Sequence, residues 1–148
     1  MMWLFLFLTL FVPRNYEEFK VEMVQRVNEL RAEGCNCGGK YMAPAGSVSW
    51  NDRIGIAAAR HAIEMQEYGY FSHRGRDGSG IGARVSATGY QWSYVSENIA
   101  RGYKSIDDVL QGWLASPSHC RNLMNPRLKH MGVAKKGEYW VQDFGTSY

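Results

Sequence analysis

Three polar side chains sit in segments that otherwise read as apolar or tightly turned. They are His73 in Phe71-Ser72-His73, Glu97 in Val95-Ser96-Glu97-Asn98-Ile99, and His119 in Ser116-Pro117-Ser118-His119. A carboxylate between apolar neighbours either caps backbone N–H groups or faces a polar cavity, because an unpaired buried charge is too costly to keep. His73 opens a glycine-rich stretch and, taken alone, reads as a surface or capping histidine. His119 carries the clearest physical argument. With Ser116 as N-cap and Pro117 as the first helical residue, it falls on the third helical position, where the positive end of the helix dipole disfavours imidazolium. A neutral imidazole can bind a metal or accept a proton. The chain has no P-loop, no H-E-x-x-H, no G-x-S-x-G and no G-x-G-x-x-G. Local pattern alone therefore identifies no enzyme.

Sulfur is the second reactive class. Cys35 and Cys37 form a C-x-C pair, and Cys120 lies 83 residues beyond Cys37. A bridge between residues i and i+2 is strained, so a disulfide would tie either Cys35 or Cys37 to Cys120 and leave one thiol over. Closing so long a loop contributes about 4 to 5 kcal/mol in the chain-entropy description. Two other readings stay open: three reduced buried cysteines, or a zinc site built from Cys35, Cys37, Cys120 and a histidine. From Val109 to Gly137 there is no acid, but Arg121, Arg127, Lys129, Lys135 and Lys136 are present. That is either a solvated face or a mild preference for an anionic ligand or lipid headgroup.

These residues must be positioned by a few regular elements. From Tyr16 to about Glu33, Phe19, Met23, Val27 and Leu30 recur at helical spacing, and Gly34 ends the run. A glycine-rich turn, CNCGGK, leads to Trp50. Asn51 then caps a second helix with Ile54, Ala58, His61 and Met65 on one face, which makes His61 a packed helix histidine. The six-glycine stretch around His73 reads as a loop with one short helix near Gly82 to Ala87. SYVSENIARGY is too short and mixed to assign. Ser105 and Asp108 form a capping box before a helix through Val109, Leu110, Trp113 and Leu114. A short helix follows from Ser116, and HMGVAKKGEYWVQDFG reads as a β-hairpin around a Lys-Lys-Gly turn. The result is a layered α+β domain.

The 148 residues suit one domain, and a net charge of +3 is too small to suggest a nucleic-acid partner. Residues 1–12, MMWLFLFLTLFV, contain a single polar residue, Thr9. This run, ended by Pro13 and Arg14, is too short to span a membrane but matches the apolar core of an export signal. No Lys or Arg precedes it and no small-x-small cleavage pattern follows. An uncleaved membrane-surface anchor and a buried N-terminal element are the other readings. The chain thus divides into a signal-like apolar leader, 1–13, and a domain, 16–148.

The ordered series NELRAEG, AAARHAIEM, FSH, SENIA, GWLASPSHCRN, MGVA and YWVQDFG resembles the CAP superfamily of cysteine-rich secretory, antigen 5 and pathogenesis-related proteins. The match covers residues 21–145 and looks closest to the bacterial branch, with Ser96 where a glycine is usual. The resemblance implies a three-layer α-β-α sandwich with a small antiparallel sheet and a central cleft, in which His73, Glu97 and His119 converge. It also implies a site able to hold a divalent metal, zinc first. The second glutamate of the eukaryotic members is replaced here by Ser116, which weakens both metal binding and any general base. Three functions follow as expectations. The first is a secreted or cell-surface module whose cleft takes a metal, a small ligand or a lipid. The second is a zinc-assisted hydrolase with Glu97 as ligand or base. The third is a structural or interaction domain with a hydrogen-bonded polar cleft.

Overall fold

A computed structural model describes residues 15–148, so the apolar leader lies outside the described residues. The element order is α1 (Tyr16–Glu33), β1 (Cys35–Cys37), β2 (Lys40–Met42), β3 (Ser49–Trp50), α2 (Asp52–Tyr68), α3 (Ile81–Ser86), β4 (Trp92–Arg101), α4 (Ile106–Ala115), α5 (Pro117–Leu123), β5 (His130–Lys136) and β6 (Tyr139–Ser147). The main sheet runs β3-β5-β6-β4, and β1 with β2 forms a separate hairpin. Its β4, β6 and β5 pairings are antiparallel as expected, but the short β3 adds to β5 in parallel, with Ser49 opposite His130.

Local chemistry sets the helix starts. Asn15 Oδ1 accepts from the Glu18 N–H at 2.8 Å, and Asn51 Oδ1 accepts from the Arg53 and Ile54 N–H groups at 3.0 and 3.2 Å. Each bond satisfies a donor that has no partner inside its helix. α2 ends on Gly69 in the left-handed region, φ 64°, where a side chain would be strained. Ser105 Oγ accepts from the Asp108 N–H and starts α4.

Strand alternation then makes the layers. On β6, Trp140 and Phe144 pack with Met23 and Val27 of α1 and with Val109, Leu110 and Trp113 of α4. Tyr139 and Val141, on the opposite face, pack with Ala58, Ala62 and Met65 of α2. The sheet is thus covered on both faces by helices. α2 comes unusually close to β5 because Gly132 has no side chain: a Cβ there would overlap the backbone of Ile54 and Gly55.

Two segments differ from the sequence reading. SYVSENIARGY begins inside β4, a ten-residue strand paired along β6. Its residues 97–100 are buried on both faces, so no period-2 alternation marks them as a strand. CNCGGK is the β1–β2 hairpin, with Cys35 opposite Met42 and Cys37 opposite Lys40.

Arg31, in the last turn of α1, is fully buried. Its guanidinium donates to the carbonyls of Gly46, Leu123, Asn125 and Leu128 at 2.7 to 3.4 Å. It thereby ties the end of α5 and the chain leading to β5 onto α1.

Candidate functional site

β4 is an edge strand, and the site is built on that edge. The carbonyls of Glu97 and Ile99 accept from Asn122 Nδ2 of α5 and Trp113 Nε1 of α4, each at 3.1 Å. Residues two apart on a strand point the same way, so both carbonyls turn away from β6 and are satisfied by helical side chains. Glu97 and Asp143 consequently form the closer, non-hydrogen-bonded kind of cross-strand pair. Asn98 faces the other side. Its Nδ2 donates to Gln142 Oε1 at 3.1 Å and to the His119 carbonyl at 3.3 Å, and its Oδ1 accepts from Asn122 at 2.9 Å. These bonds fix α5, and His119 with it, against β4.

The Glu97 side chain is 2% exposed. Its Oε1 accepts from His73 Nδ1 at 2.8 Å, and its Oε2 pairs with the buried Arg84 guanidinium of α3. Burial opposes the charge on Glu97, but the bonds from His73 and Asp143 and the Arg84 charge outweigh it and hold the carboxyl down at about 2. Asp143 is fully buried, and neither of its oxygens meets an N–H or O–H donor from another residue. Burial, and then the Glu97 charge, push its carboxyl well above the usual range. Asp143 is therefore the protonated partner, and its own O–H donates to Glu97. Arg84 also donates to the carbonyls of His73 and Ser79 at 2.9 and 3.0 Å.

Two histidines flank this cluster: His73 bonds to it directly, and His119 lies near His73. His73 is 56% exposed and donates Nδ1–H to Glu97, so in the neutral ring Nε2 keeps the lone pair. His119 occupies the third position of α5, as the Ser-Pro signal predicts, although the Ser116 hydroxyl makes no capping bond. Its pKa is lowered by burial first and by the nearby His73 second. The ring is kept neutral, with desolvation the leading cause. His61 is buried on α2, and its Nε2–H donates to the Ser72 carbonyl at 2.8 Å. The packed helix histidine thus anchors the turn that carries His73.

Arg84 and Asp143 were not singled out from the sequence. Asp143 carries the signal that marked Glu97, an acid beside apolar strand residues, whereas Arg84 is one of three arginines in the glycine-rich stretch, and residue type does not separate it from Arg74 and Arg76. The expected ligand trio does not gather. Among the described residues, only Cys35, Cys37 and Cys120 bring three ligand atoms within 4.8 Å of one another. Both Glu97 oxygens are already engaged by His73 and Arg84. The arrangement fits no three-ligand zinc centre through Glu97. A surface groove of about 740 Å³, lined by Trp50, Arg53, Tyr90 and His130 among others, contains none of these residues.

Of the two disulfides open in the sequence, the chain forms Cys37–Cys120, with Cα atoms 5.4 Å apart, and Cys35 is free. With two of its sulfurs in a bridge, the zinc site of three cysteines and a histidine has no ligand set, and the fully reduced reading falls as well. Two of the basic residues from Val109 to Gly137 sit against aromatic rings. Arg127 lies 3.9 Å over the Tyr94 ring, while Lys135 approaches Trp140 and donates to the Gly137 carbonyl.

The fold has solved counterparts. An extracellular protein containing an SCP domain from Bacillus anthracis superimposes with a TM-score of 0.72 at 22% identity, over 92% of this chain and 45% of that one. An outer surface protein from Borrelia burgdorferi does so with a TM-score of 0.76 at 21% identity, over 91% and 96%. By sequence, the chain is 27% identical to Bacillus subtilis YkwD over 96 residues and 29% identical to the B. subtilis membrane protein YlbC over 97. Those stretches are 64% and 66% of this chain but only 37% and 28% of the two relatives. The family model for cysteine-rich secretory proteins matches residues 24–144, a span that holds every residue of the site just described. The chain belongs to the CAP, or cysteine-rich secretory protein, family.

Proposed function

We propose that this chain is a secreted or cell-surface CAP module that binds a small ligand, a lipid headgroup or a weakly held divalent ion through His73 and His119. The observation that carries the reading is the division of labour at the site. The Glu97 carboxylate is engaged by Arg84 and His73 in the interior, while His73 is oriented from behind and keeps Nε2 for a ligand. A carboxylate behind an imidazole fixes its tautomer and orientation, which suits hydrogen bonding or metal ligation. Export is supported by the signal-like leader and by the extracellular and outer-surface descriptions of the two structural neighbours. Among the described residues, no helix is long and apolar enough to cross a membrane.

Calorimetry and histidine NMR with zinc chloride, and separately with anionic phospholipid vesicles, test the reading. One of these probes should give heat and shift both the His73 and His119 resonances, and His73→Ala with His119→Ala should abolish the effect. If neither probe binds, or the double variant binds unchanged, the module is not built for this chemistry.

The hydrolase reading gains nothing from the geometry, since a carboxyl held at about 2 is a poor base near neutral pH. The structural reading is favoured by one observation: the Glu97 carboxylate is already fully engaged by protein groups. A thermal stability indifferent to zinc and to both histidine substitutions would select it.

A further inference from the structure

We propose that Cys35, Cys37 and Cys120 form a thiol–disulfide exchange centre, in which Cys120 alternates between a bridge to Cys37 and a bridge to Cys35. The free Cys35 Sγ lies 3.1 Å from Cys120 Sγ and 3.6 Å from Cys37 Sγ. Strand geometry explains why both can serve. Cys35 and Cys37 are two apart on β1, so their side chains leave the hairpin on the same face, toward α5. The hairpin is pressed onto α5 at that point, where a Cβ on Gly38 would overlap Pro117.

The step is balanced within the chain. The Cys35 thiolate attacks Cys120 Sγ, a Cys35–Cys120 bond forms, the Cys37–Cys120 bond breaks, and Cys37 leaves as thiolate and takes up the proton. No outside oxidant or reductant is needed. Because Cys35 is in reach of both bridged sulfurs, it lies beside their bond. Its side chain must rotate onto the extension of that bond before attack. Burial also raises the Cys35 thiol, which keeps the reactive thiolate scarce near neutral pH.

The two states differ in what they expose. Cys37 is fully buried, while Cys35 is only partly so. With Cys37–Cys120 closed, the spare thiol reaches solvent and can form a mixed disulfide with a small disulfide from outside. With Cys35–Cys120 closed, the spare thiol is hidden among Cys120, Met124 and Leu114. Both bridges hold α5 to the hairpin, so exchange switches thiol reactivity while His119 keeps its anchor.

The test uses the oxidised full chain, held at pH 8.5, quenched in acid and digested at low pH. Fragmentation between Cys35 and Cys37 then assigns the bridge to Cys120. Both bridges should appear, at a rate independent of protein concentration and falling about tenfold for each pH unit lowered below the thiol pKa. Alkylating Cys35 first should leave Cys37–Cys120 alone. Cys37→Ser should close a Cys35–Cys120 bridge with no free thiol. A wild-type chain that shows only Cys37–Cys120 after long incubation overturns the proposal, whether or not Cys37→Ser folds. So does exchange whose rate rises with protein concentration.

Discussion

Replacing Asp143 by Asn should make the protein more stable at neutral pH, and the gain should grow as the pH rises. In the folded chain Glu97 is held at about 2 against an ordinary 4.5, and Asp143 is held well above its ordinary 3.8. Between about pH 2 and 4 the unfolded chain binds two protons at these groups and the folded chain one. The Glu97 contribution is thus present above 4.5 and lost as the pH falls toward 2, amounting to about 3 kcal/mol. Above 4.5 the unfolded pair binds none while the folded pair still holds one. Stability then declines by about 1.4 kcal/mol per pH unit until Asp143 ionises. The asparagine amide of the Asp143→Asn variant would donate N–H to Glu97 in place of the carboxyl O–H without taking up a proton, which removes only this second slope. Denaturant unfolding of both proteins from pH 3 to 8 gives the difference curve. It should be flat below about pH 4 and then climb toward the variant. Carbon NMR of the Asp143 carboxyl at pH 7 reports the proton directly. A flat difference curve together with an ionised carboxyl signal would refute the protonation state and the buried-pair account built on it.

The other expectations are more local. Glu97→Gln strands the Arg84 guanidinium and should cost about 3 to 5 kcal/mol, read by chemical unfolding; a loss below about 1 kcal/mol would contradict it. Arg31→Met leaves four carbonyls without their donor and should cost roughly 3 kcal/mol, with faster amide exchange from Leu123 to Leu128. Gly132→Ala must push α2 off β5 and should cost about 1 to 3 kcal/mol, although Ala is otherwise acceptable in a strand. His119 should titrate below the ordinary 6.5, since burial and then His73 lower it. The unfolded chain therefore takes up this proton first, and the stability contributed by neutral His119 is lost as the pH falls below 6.5. His73→Ala should raise the His119 midpoint only part of the way, because burial is the larger cause.

The helices could be read from the sequence because their signals are local. Asn15, Asn51 and Ser105 cap through side chains that reach only two or three residues along the chain. His119 is placed on the first turn of α5 by Ser116 and Pro117 for the same reason. The residues of the site were mostly visible too, since His73, Glu97 and His119 stand out chemically from their neighbours. What they do to one another was not visible. Whether Glu97 is a ligand, a base or a buried ion depends on Arg84, 13 residues away, and on Asp143, 46 residues away, which meet it only after β4 pairs with β6. β4 itself escaped notice because burial on both faces erases the alternation that marks a strand. The choice of Cys37 over Cys35 likewise waited on the approach of α5 to the β1–β2 hairpin. Residue type and short spacing determined which groups could act and where the helices begin. Pairing across long separations decided which of those groups carry charge and which carry a proton, because charge and protonation answer to neighbours in space.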